Sequence, residues 1–420
     1  MILAFEMNWA AMVHAPGNAA TVRAMMQGCP GRTLRLHAEP AHIAELRRDP
    51  ALADAAVEYV GIDRFALFQG RPAIVSWGRF WHEFALIRGA LRAVPRGAPC
   101  LVMLLSTTAT GVFAAALAAW LHGRCWVQVG LHGDLNEVAV RRSRHPLRRA
   151  FDVVAGLNRR WRKLRFLVLD GVIRDELARI APAALERTDV MPLPVNIGEV
   201  PAGPGPVLRT PVRIAFVGQA TMSKGIDIYL AMARRMRARH GERVQFDVIG
   251  RADPNAPAPG SDDLVVPISP DYLSRAEFVR RLDRADYVFL PLFGTYYRLA
   301  ASGALLDALT WLKPVIIGRI PLSERWFAEF GDIGDLCDDA AAMEAAVERV
   351  IVAPDPARHA AQVTALRAAR DTRTPEAVGR TYASIAARFF PASAGSDRPT
   401  PVAPRWRRRR PHRGRRRDRG

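Results

Sequence analysis

The strongest structural signal in this chain lies between Val212 and Arg237, VRIAFVGQATMSKGIDIYLAMARRMR. VRIAFV is a short apolar run rich in β-branched residues, typical of a strand covered on both faces, and Gly218 closes it. After Lys224 and Gly225, apolar residues recur at helical spacing. The stretch therefore predicts a strand, a glycine turn and a helix. At the edge of a parallel sheet, such a turn can hold an anion through backbone N–H groups and a lysine, and phosphate is the natural anion.

The residues of this turn are also more particular. The segment Gly218-Gln219-Ala220-Thr221-Met222-Ser223-Lys224-Gly225 resembles the stretch that opens the second domain of GT-B glycosyltransferases, especially the large retaining group called family four. In that family Gly-Arg, four variable residues and Lys-Gly follow the strand, and the Arg and Lys hold the donor diphosphate. Lys224 falls on the family's lysine, whereas Gln219 replaces its arginine. On this motif alone, a βα turn with an incidental lysine stays open as the alternative.

Size and composition indicate a globular protein of several domains. A length of 420 residues allows two or three domains, and half of the residues are hydrophobic. Cys29, Cys100, Cys125 and Cys337 lie far apart with no zinc-like spacing, which favours reduced, buried thiols in a cytosolic protein. The N-terminus lacks a basic region and reads as a first strand rather than as a signal peptide.

The formal net charge of +19 is unevenly distributed. Arg405 to Gly420 carries ten arginines and one aspartate, a net charge of +9, and from Pro391 onward we expect a disordered tail. Such a tail can bind the phosphates of RNA, DNA or anionic lipid. It holds one aromatic residue, Trp406, so we expect no sequence-specific nucleic-acid recognition. The preferred hypothesis is that the tail holds a cytoplasmic enzyme near the inner membrane.

One segment has the length of a membrane span. Leu101 to Leu121 contains 21 residues without a charge. Ser106, Thr107, Thr108 and Thr110 interrupt it with hydroxyls, so a strand, a polar turn and a buried helix explain it better. A true span remains the alternative.

Strand-like and helix-like segments alternate along the whole chain, which predicts an α/β protein with doubly wound parallel sheets. The predicted strands are Ile2–Met7, Thr33–His37, Val57–Val60, Ala73–Trp77, Leu101–Leu105, Cys125–Val129, Phe166–Leu169, Val212–Val217, Gln245–Ile249, Leu264–Val266, Tyr287–Leu290 and Val315–Ile317. The predicted helices include Ala19–Gln27, much of the arginine-rich segment Val138–Lys163, Arg275–Arg284 and Ala304–Leu312.

A segment rich in proline and glycine divides this pattern into two halves. We therefore predict a first Rossmann-like domain over 1–197, a linker over 198–211 and a second Rossmann-like domain over 212–374. The GT-B resemblance implies that the two domains face a cleft, and that a last helix, 375–390, crosses back to the first domain. The tail is 391–420.

A second informative stretch runs from Asp286 to Gly318. Its strand leads through a loop to Ser302-Gly303 at a helix start, and Asp307 lies one turn into that helix. Small residues there would let a ligand approach the backbone N–H groups, and the helix dipole favours negative charge. Asp307 could accept hydrogen bonds from a ribose diol. The two stretches together suggest a nucleotide site.

This stretch also resembles family four. Asp307 to Ile316 aligns with the family's Glu-Ala-Met-Ala-x-Gly-x-Pro-Val-Ile run, which puts Asp307 in the position of the ribose-binding acid. Leu299 stands where the family's other glutamate would contact the transferred sugar. Three loop residues are candidates to replace that contact, although the tyrosines could equally be packing residues: Tyr296, Tyr297 and Arg298.

In the first half, His132 follows the strand Cys125–Val129. A histidine at that strand's end lies near the reacting sugar in family four, so the resemblance implies His132 as the active-site histidine. An ordinary hydrogen-bonding loop histidine is the alternative. Pro16-Gly17-Asn18 matches the position of the family's glycine loop, which faces the diphosphate and the acceptor.

Together these features predict transfer of a sugar from a nucleoside diphosphate to a hydroxyl acceptor, with retention. The acceptor would be a glycan, a lipid-linked glycan or a small molecule. The catalytic residues would be His132 and Lys224, and donor contacts would come from Gly218, Gln219, Arg298, Ser302, Gly303 and Asp307. The family needs no bound metal, because Lys224 and helix dipoles offset the charge of the leaving group. The alternatives are a non-catalytic GT-B-like binding module and a nucleic-acid-binding protein led by its tail.

Overall fold

Two parallel β-sheets form the centre of the protein in a computed structural model. The described residues are 1–49, 52, 57–65, 76–95, 98–106, 108–132, 135, 151–159, 161–196, 200, 205–254, 263–294 and 296–390. The predicted basic tail and most of the arginine-rich segment Val138–Lys163 lie outside them.

The first sheet has seven strands in the order β3-β2-β1-β4-β5-β6-β7, all parallel. The strands are β1 (Ile2–Phe5), β2 (Leu34–Ala38), β3 (Val57–Gly61), β4 (Cys100–Leu104), β5 (Cys125–Gly130), β6 (Leu164–Val168) and β7 (Thr188–Val190). The described helices of this half are α1 (Ala15–Gly28), α2 (Pro40–Leu46), α3 (Trp77–Arg92), α4 (Ala109–His122), α5 (Val153–Asn158) and α6 (Gly171–Ile180).

The second sheet has five parallel strands in the order β12-β11-β10-β8-β9. The strands are β8 (Val212–Val217), β9 (Val244–Ile249), β10 (Tyr287–Leu290), β11 (Val315–Gly318) and β12 (Gly334–Cys337). The described helices of this half are α7 (Ile226–His240), α8 (Arg275–Arg284), α9 (Gly303–Thr310), α10 (Pro321–Phe330), α11 (Ala340–Val352), α12 (Pro356–Asp371) and α13 (Pro375–Ala386).

Alternate residues of the central strands enter separate apolar cores on the two faces of each sheet. In β1, Leu3 and Phe5 join one core while Ile2 and Ala4 join the other. Because both faces are covered, the strands read as continuous apolar runs, and this confirms the predicted doubly wound α/β class. The order of the strands reverses between β1 and β4 and between β8 and β10. Ligands of such sheets bind in the crevice at that switch point.

The membrane-span alternative for Leu101–Leu121 is wrong. This segment divides between β4 and α4, and the Thr108 hydroxyl at the break accepts a hydrogen bond from the Gly111 amide. A hydroxyl that caps the helix ends the apolar strand cleanly before the buried helix begins. Across the described ranges, no helix combines the length and the apolar character that a bilayer crossing needs.

Two local predictions are wrong. Pro16-Gly17-Asn18, matched above to the family's glycine loop, is not in a loop but in the first turn of α1, where proline costs no hydrogen bond. Leu264–Val266 forms no strand: Val265 donates one hydrogen bond to the Phe246 carbonyl, and Val265 and Val266 remain exposed. Residues 73–75 of the expected strand Ala73–Trp77 lie outside the described residues, and Trp77 begins α3.

A buried cluster joins the two halves. The indole Nε1 of Trp326 in α10 donates to Asp170 Oδ2 at 3.2 Å, across to the end of β6. The guanidinium of Arg373 lies 4.4 Å from the centre of the Trp326 ring. The backbone carbonyl of Arg373 accepts a hydrogen bond from the Val195 amide at 2.8 Å. Since the side chains of Asp170, Trp326 and Arg373 are buried, this cluster fixes the orientation of the two sheets around the crevice between them.

Helix α13 returns to the first half and packs against α1. Gly28 and Gly379 allow the close approach, because a Cβ added at Gly28 would lie 2.7 Å from the Gly379 carbonyl oxygen. Beside them, Tyr382 is fully buried and its hydroxyl donates to Gln128 Oε1 at 2.9 Å. The end of the described chain is therefore part of the core of the first half.

The Gly379→Val variant should lose about 2 kcal/mol of stability, because a β-branched side chain overpacks this crossing. A Cβ at this position would meet the Gln27 Cβ at 2.6 Å. Chemical denaturation would measure the loss, with Gly89→Val as the control, since a Cβ at Gly89 meets no atom within 4 Å. Equal effects of the two substitutions would contradict tight packing of α13 on α1.

Candidate functional site

The loop after β8 places Lys224 at the switch point of the second sheet. Gly218 and Gly225 both have left-handed backbone, with φ of 105° and 74°. A side chain on Gly225 would also collide with Pro291 at the end of β10, since its Cβ would lie 2.8 Å from that residue. Lys224 is half-buried and folds back over Gly218, and desolvation lowers the pKa of its ammonium. An anionic ligand would restore the interactions that this partly dehydrated cation has lost to burial.

The other predicted donor residues follow β10, which is the neighbour of β8. Ser302 is buried and caps α9, because its hydroxyl accepts the Leu305 amide at 3.2 Å. Gly303 is exposed at the first position of that helix, so its backbone is the accessible part of the predicted Ser302-Gly303 pair. Asp307 is half-buried one turn further on. The topology thus brings Lys224 and the start of α9 to adjacent strand ends.

The loop between β10 and α9 docks onto the first half of the chain. Leu299 is buried in the apolar core of the first sheet, so it does not replace a sugar-binding glutamate. Arg298 Nη1 lies 3.9 Å from Glu176 Oε1 in α6 and therefore also reaches the first half. Tyr297 is buried in the core of the second sheet, which fits the packing alternative for this tyrosine.

His132 lies just after β5 and is half-buried. Its Nε2 is 3.0 Å from Nδ1 of His14, and the two rings are nearly perpendicular, at 88°. His14 precedes α1 and stacks on Trp9, with 4.5 Å between ring centres. The sequence singled out His132 as a candidate but not His14 or Trp9, since no motif marks them.

The electrostatics link this imidazole pair to Lys224. Burial lowers the pKa of His132 to about 4. The pKa of His14 is also lowered, by desolvation and then by the charges of His132, His42 and Lys224. Both imidazoles are therefore neutral at pH 7, and Lys224 lies within electrostatic reach of His14.

A buried carboxylate fixes the loop that carries Trp9 and His14. Glu6 is fully buried and accepts hydrogen bonds from the amides of Asn8 and Trp9, at 2.9 and 3.1 Å, and from the Ser106 hydroxyl at 2.7 Å. The amide of Asn18 donates to its other oxygen at 3.0 Å. The predicted site residue Asn18 thus helps to hold this loop from within the protein.

A cavity of about 340 Å³ opens beside the same loop and is lined by both halves of the chain. The first half contributes the start of α1, including the predicted residue Pro16, and the end of α2. The second half contributes the start of α8, with Arg275, Ala276 and Val279. Gly17, next to Pro16, has no atom within 4 Å of an added Cβ. The cavity has the size and the mixed lining of a small-molecule subsite.

Among the described residues, no group of histidine, cysteine, aspartate or glutamate side chains is arranged to hold a metal ion. The four cysteines are buried, which confirms this part of the sequence prediction, and no disulfide joins them. The expectation that no metal is needed stays a prediction.

Solved structures resemble this chain along most of its length, although no protein-family model and no curated protein sequence matches it. A glycosyltransferase from Rickettsia africae ESF-5 aligns with a TM-score of 0.58 at 11% identity, covering 93% of this chain and 99% of its own. An E. coli trehalose-6-phosphate structure bound with UDP-2-fluoro glucose aligns with a TM-score of 0.60 at 10% identity, covering 91% of this chain and 98% of its own. The N-terminal domain of a Candida albicans trehalose-6-phosphate phosphatase aligns with a TM-score of 0.60 at 9% identity, covering 92% of this chain and 96% of its own.

These similarities are at the level of the fold. Two parallel sheets of seven and five strands around a crevice, shared over nine-tenths of the chain, are the GT-B glycosyltransferase architecture that the sequence resemblance predicted. The chain therefore has the GT-B fold.

Proposed function

We propose that this protein transfers a sugar from a nucleoside-diphosphate sugar to a hydroxyl acceptor. One observation carries the proposal: the charge of Lys224 in the second half acts on His14 in the first half, and His14 Nδ1 lies 3.0 Å from Nε2 of His132. A cation for the leaving diphosphate and polar groups for the sugar would thus meet in one crevice. The E. coli neighbour is bound with UDP-2-fluoro glucose, which supports a nucleotide-linked hexose as the donor.

The residues would divide the reaction as follows. The bond between the anomeric carbon and the diphosphate breaks, a bond to the acceptor oxygen forms on the same face, and the proton of the acceptor passes to the departing diphosphate. Lys224 and the backbone amides at Ser302-Gly303 would offset the charge on that diphosphate. Asp307 would accept hydrogen bonds from the ribose, and His132 would orient the sugar. Gly218 and Gln219 would line the diphosphate loop, and no metal is assigned to this reaction.

The acceptor would enter from the first half of the chain. The cavity beside Pro16 adjoins the loop that carries His14, and both halves line it. We assign it to the acceptor, whether a glycan, a lipid-linked glycan or a small molecule. The basic tail would hold the enzyme at an anionic cytoplasmic membrane surface, without sequence-specific binding of nucleic acid.

A second candidate function is non-catalytic binding of a nucleotide or glycan. Gln219 supplies no charge where family four has an arginine, and Leu299 is buried in the first half rather than open to a sugar. The Candida albicans neighbour, the N-terminal domain of a protein named as a phosphatase, has the same fold. These observations are the basis of the binding alternative, which predicts binding of a nucleotide or glycan without turnover.

A panel of nucleoside-diphosphate sugars separates the two candidates. We expect the full-length protein to bind UDP, GDP or ADP in calorimetric titrations, and to hydrolyse or transfer the sugar of at least one donor. Mass spectrometry of the products, with simple hexoses and lipid-linked sugars as acceptors, would identify the transfer. Nucleotide binding without turnover of any donor would favour the non-catalytic module, and no binding at all would contradict both.

A further inference from the structure

We propose that His14 is a positioning residue, which holds the ring of His132 in one orientation and one tautomer through the hydrogen bond between His14 Nδ1 and His132 Nε2. The inference rests on the proposed function, in which His132 orients the transferred sugar. It adds a residue that the sequence resemblance does not assign.

The geometry of the pair is that of a hydrogen bond between two imidazoles. The two nitrogens are 3.0 Å apart, and the ring centres are 4.8 Å apart at an interplanar angle of 88°. A bond of this length needs a proton on one of the two nitrogens and a lone pair on the other. The two histidines are 118 residues apart in sequence, and they follow strands β1 and β5, which β4 separates. The bond therefore links two loops whose strands, β1 and β5, do not pair with each other.

The bond determines what His132 offers to a ligand. A neutral imidazole has one donor and one acceptor nitrogen, so the role of Nε2 toward His14 sets the opposite role for Nδ1. Without a partner at Nε2, the ring would exchange tautomers and rotate. With His14 in place, the position of the ring is fixed before a sugar hydroxyl binds, and His132 can change tautomer only if His14 changes tautomer with it. This preorganisation supports an oriented sugar donor.

The local structure around His14 fits this role better than a role in capping the helix. His14 is the N-cap of α1, yet its side chain makes no capping hydrogen bond. Its backbone is left-handed, with φ of 61°, a conformation that is strained for a non-glycine residue. Trp9 stacks on the ring at 4.5 Å and fixes its plane. The strained backbone and the stacking partner thus direct the imidazole toward His132.

Two substitutions at this position separate positioning from folding. His14→Gly removes the imidazole but suits the left-handed backbone, so the folded state should be as stable as the parent or more stable. His14→Asn also suits that backbone, and its amide can bond to Nε2 of His132. The matched control is His82→Gly, since His82 lies in α3 and its Nε2 bonds to the Asp63 carbonyl, away from the pair.

For His14→Gly we expect turnover of the best donor to fall roughly tenfold, with little change in its KM, which is the size expected for the loss of one hydrogen bond that positions the ring. His14→Asn should recover a large part of the loss, and His82→Gly should leave turnover unchanged. In ¹⁵N-histidine NMR spectra of the full-length protein, His132 should show one tautomer in the parent and an averaged signal in His14→Gly. Unchanged turnover in His14→Gly, or equal losses in the Gly and Asn variants, would overturn the proposal.

The NMR measurement keeps the outcome separate from that of the proposed function. If the parent turns over no donor but shows a single His132 tautomer that His14→Gly abolishes, the transferase proposal fails and the positioning contact stands. If the parent already shows an averaged His132 signal, the positioning proposal fails whatever the activity.

Discussion

The Lys224→Ala variant is expected to lose on the order of 100-fold in the rate of sugar transfer, the size found when one preorganised donor to a developing oxyanion is removed. Lys224 is the cation that remains in this motif, because Gln219 stands where the family has arginine. Its ammonium is half-buried, so its interaction with a diphosphate is screened less by water than that of a surface lysine. The charge of the leaving diphosphate grows as the sugar departs, and the effect should therefore fall on kcat as well as on binding.

Lys163→Ala is the matched control for this prediction. Lys163 is exposed in the first half of the chain, and its ammonium donates to the Gly123 carbonyl at the start of β5. We expect this variant to bind UDP and to turn over donor as the parent does. Calorimetric titration with UDP measures the ground-state part of the Lys224 effect, and steady-state rates measure the remainder. If Lys224→Ala and Lys163→Ala behave alike, Lys224 has no role in the reaction.

The fold was predictable where the sequence carries a strong local pattern. Val212–Val217, Arg275–Arg284 and Tyr287–Leu290 have the predicted bounds. Buried parallel strands are continuous apolar runs, and an amphipathic helix shows its period directly, so these elements need no tertiary information. The family resemblance then supplied the arrangement of the two sheets, which periodicity alone does not determine.

Elements that depend on their neighbours were not predictable. β12 has the sequence Gly-Asp-Leu-Cys, which lacks an apolar run, and it becomes a strand because β11 pairs with it. Leu312 has left-handed backbone, with φ of 55°, at the position where family four has a glycine. Its burial in the core of the second sheet offsets that strain. In both cases packing overrides the local preference of the residue.

The candidate site was predictable in its second half more than in its first. The loop with Lys224 and the start of α9 follow motifs, and the sheet order brings them to adjacent strand ends. The contact of His14 with His132 depends on the backbone of a loop without a motif, so no local pattern reveals it. The burial of Leu299 in the opposite half likewise depends on how the two halves dock.

The Glu83→Ala variant is expected to lower the free energy of unfolding by about 3–5 kcal/mol, because it leaves a buried charge without its partner. Glu83 Oε1 accepts from Arg79 Nε at 2.8 Å and from the Thr108 hydroxyl at 2.9 Å. Glu83 and Arg79 are both buried, at 2% and 3% exposure. Arg79 Nη2 also donates to Asn8 Oδ1 at 2.5 Å, so the pair supports the loop that leads to His14.

A double replacement distinguishes a buried charge from lost packing. If the loss comes from the uncompensated guanidinium, the Arg79→Met/Glu83→Leu double variant should recover much of the stability that Glu83→Ala loses, because two apolar side chains need no partners. Glu344→Ala breaks the more exposed pair with Arg235 and should cost less than about 1 kcal/mol. Urea unfolding, followed by hydrogen exchange of the β1 and β4 amides, reports on the first half of the chain. A double variant as unstable as Glu83→Ala would mean that the polar network itself, through Asn8 and Thr108, holds this loop in place, and its transfer activity should then be lost together with its stability.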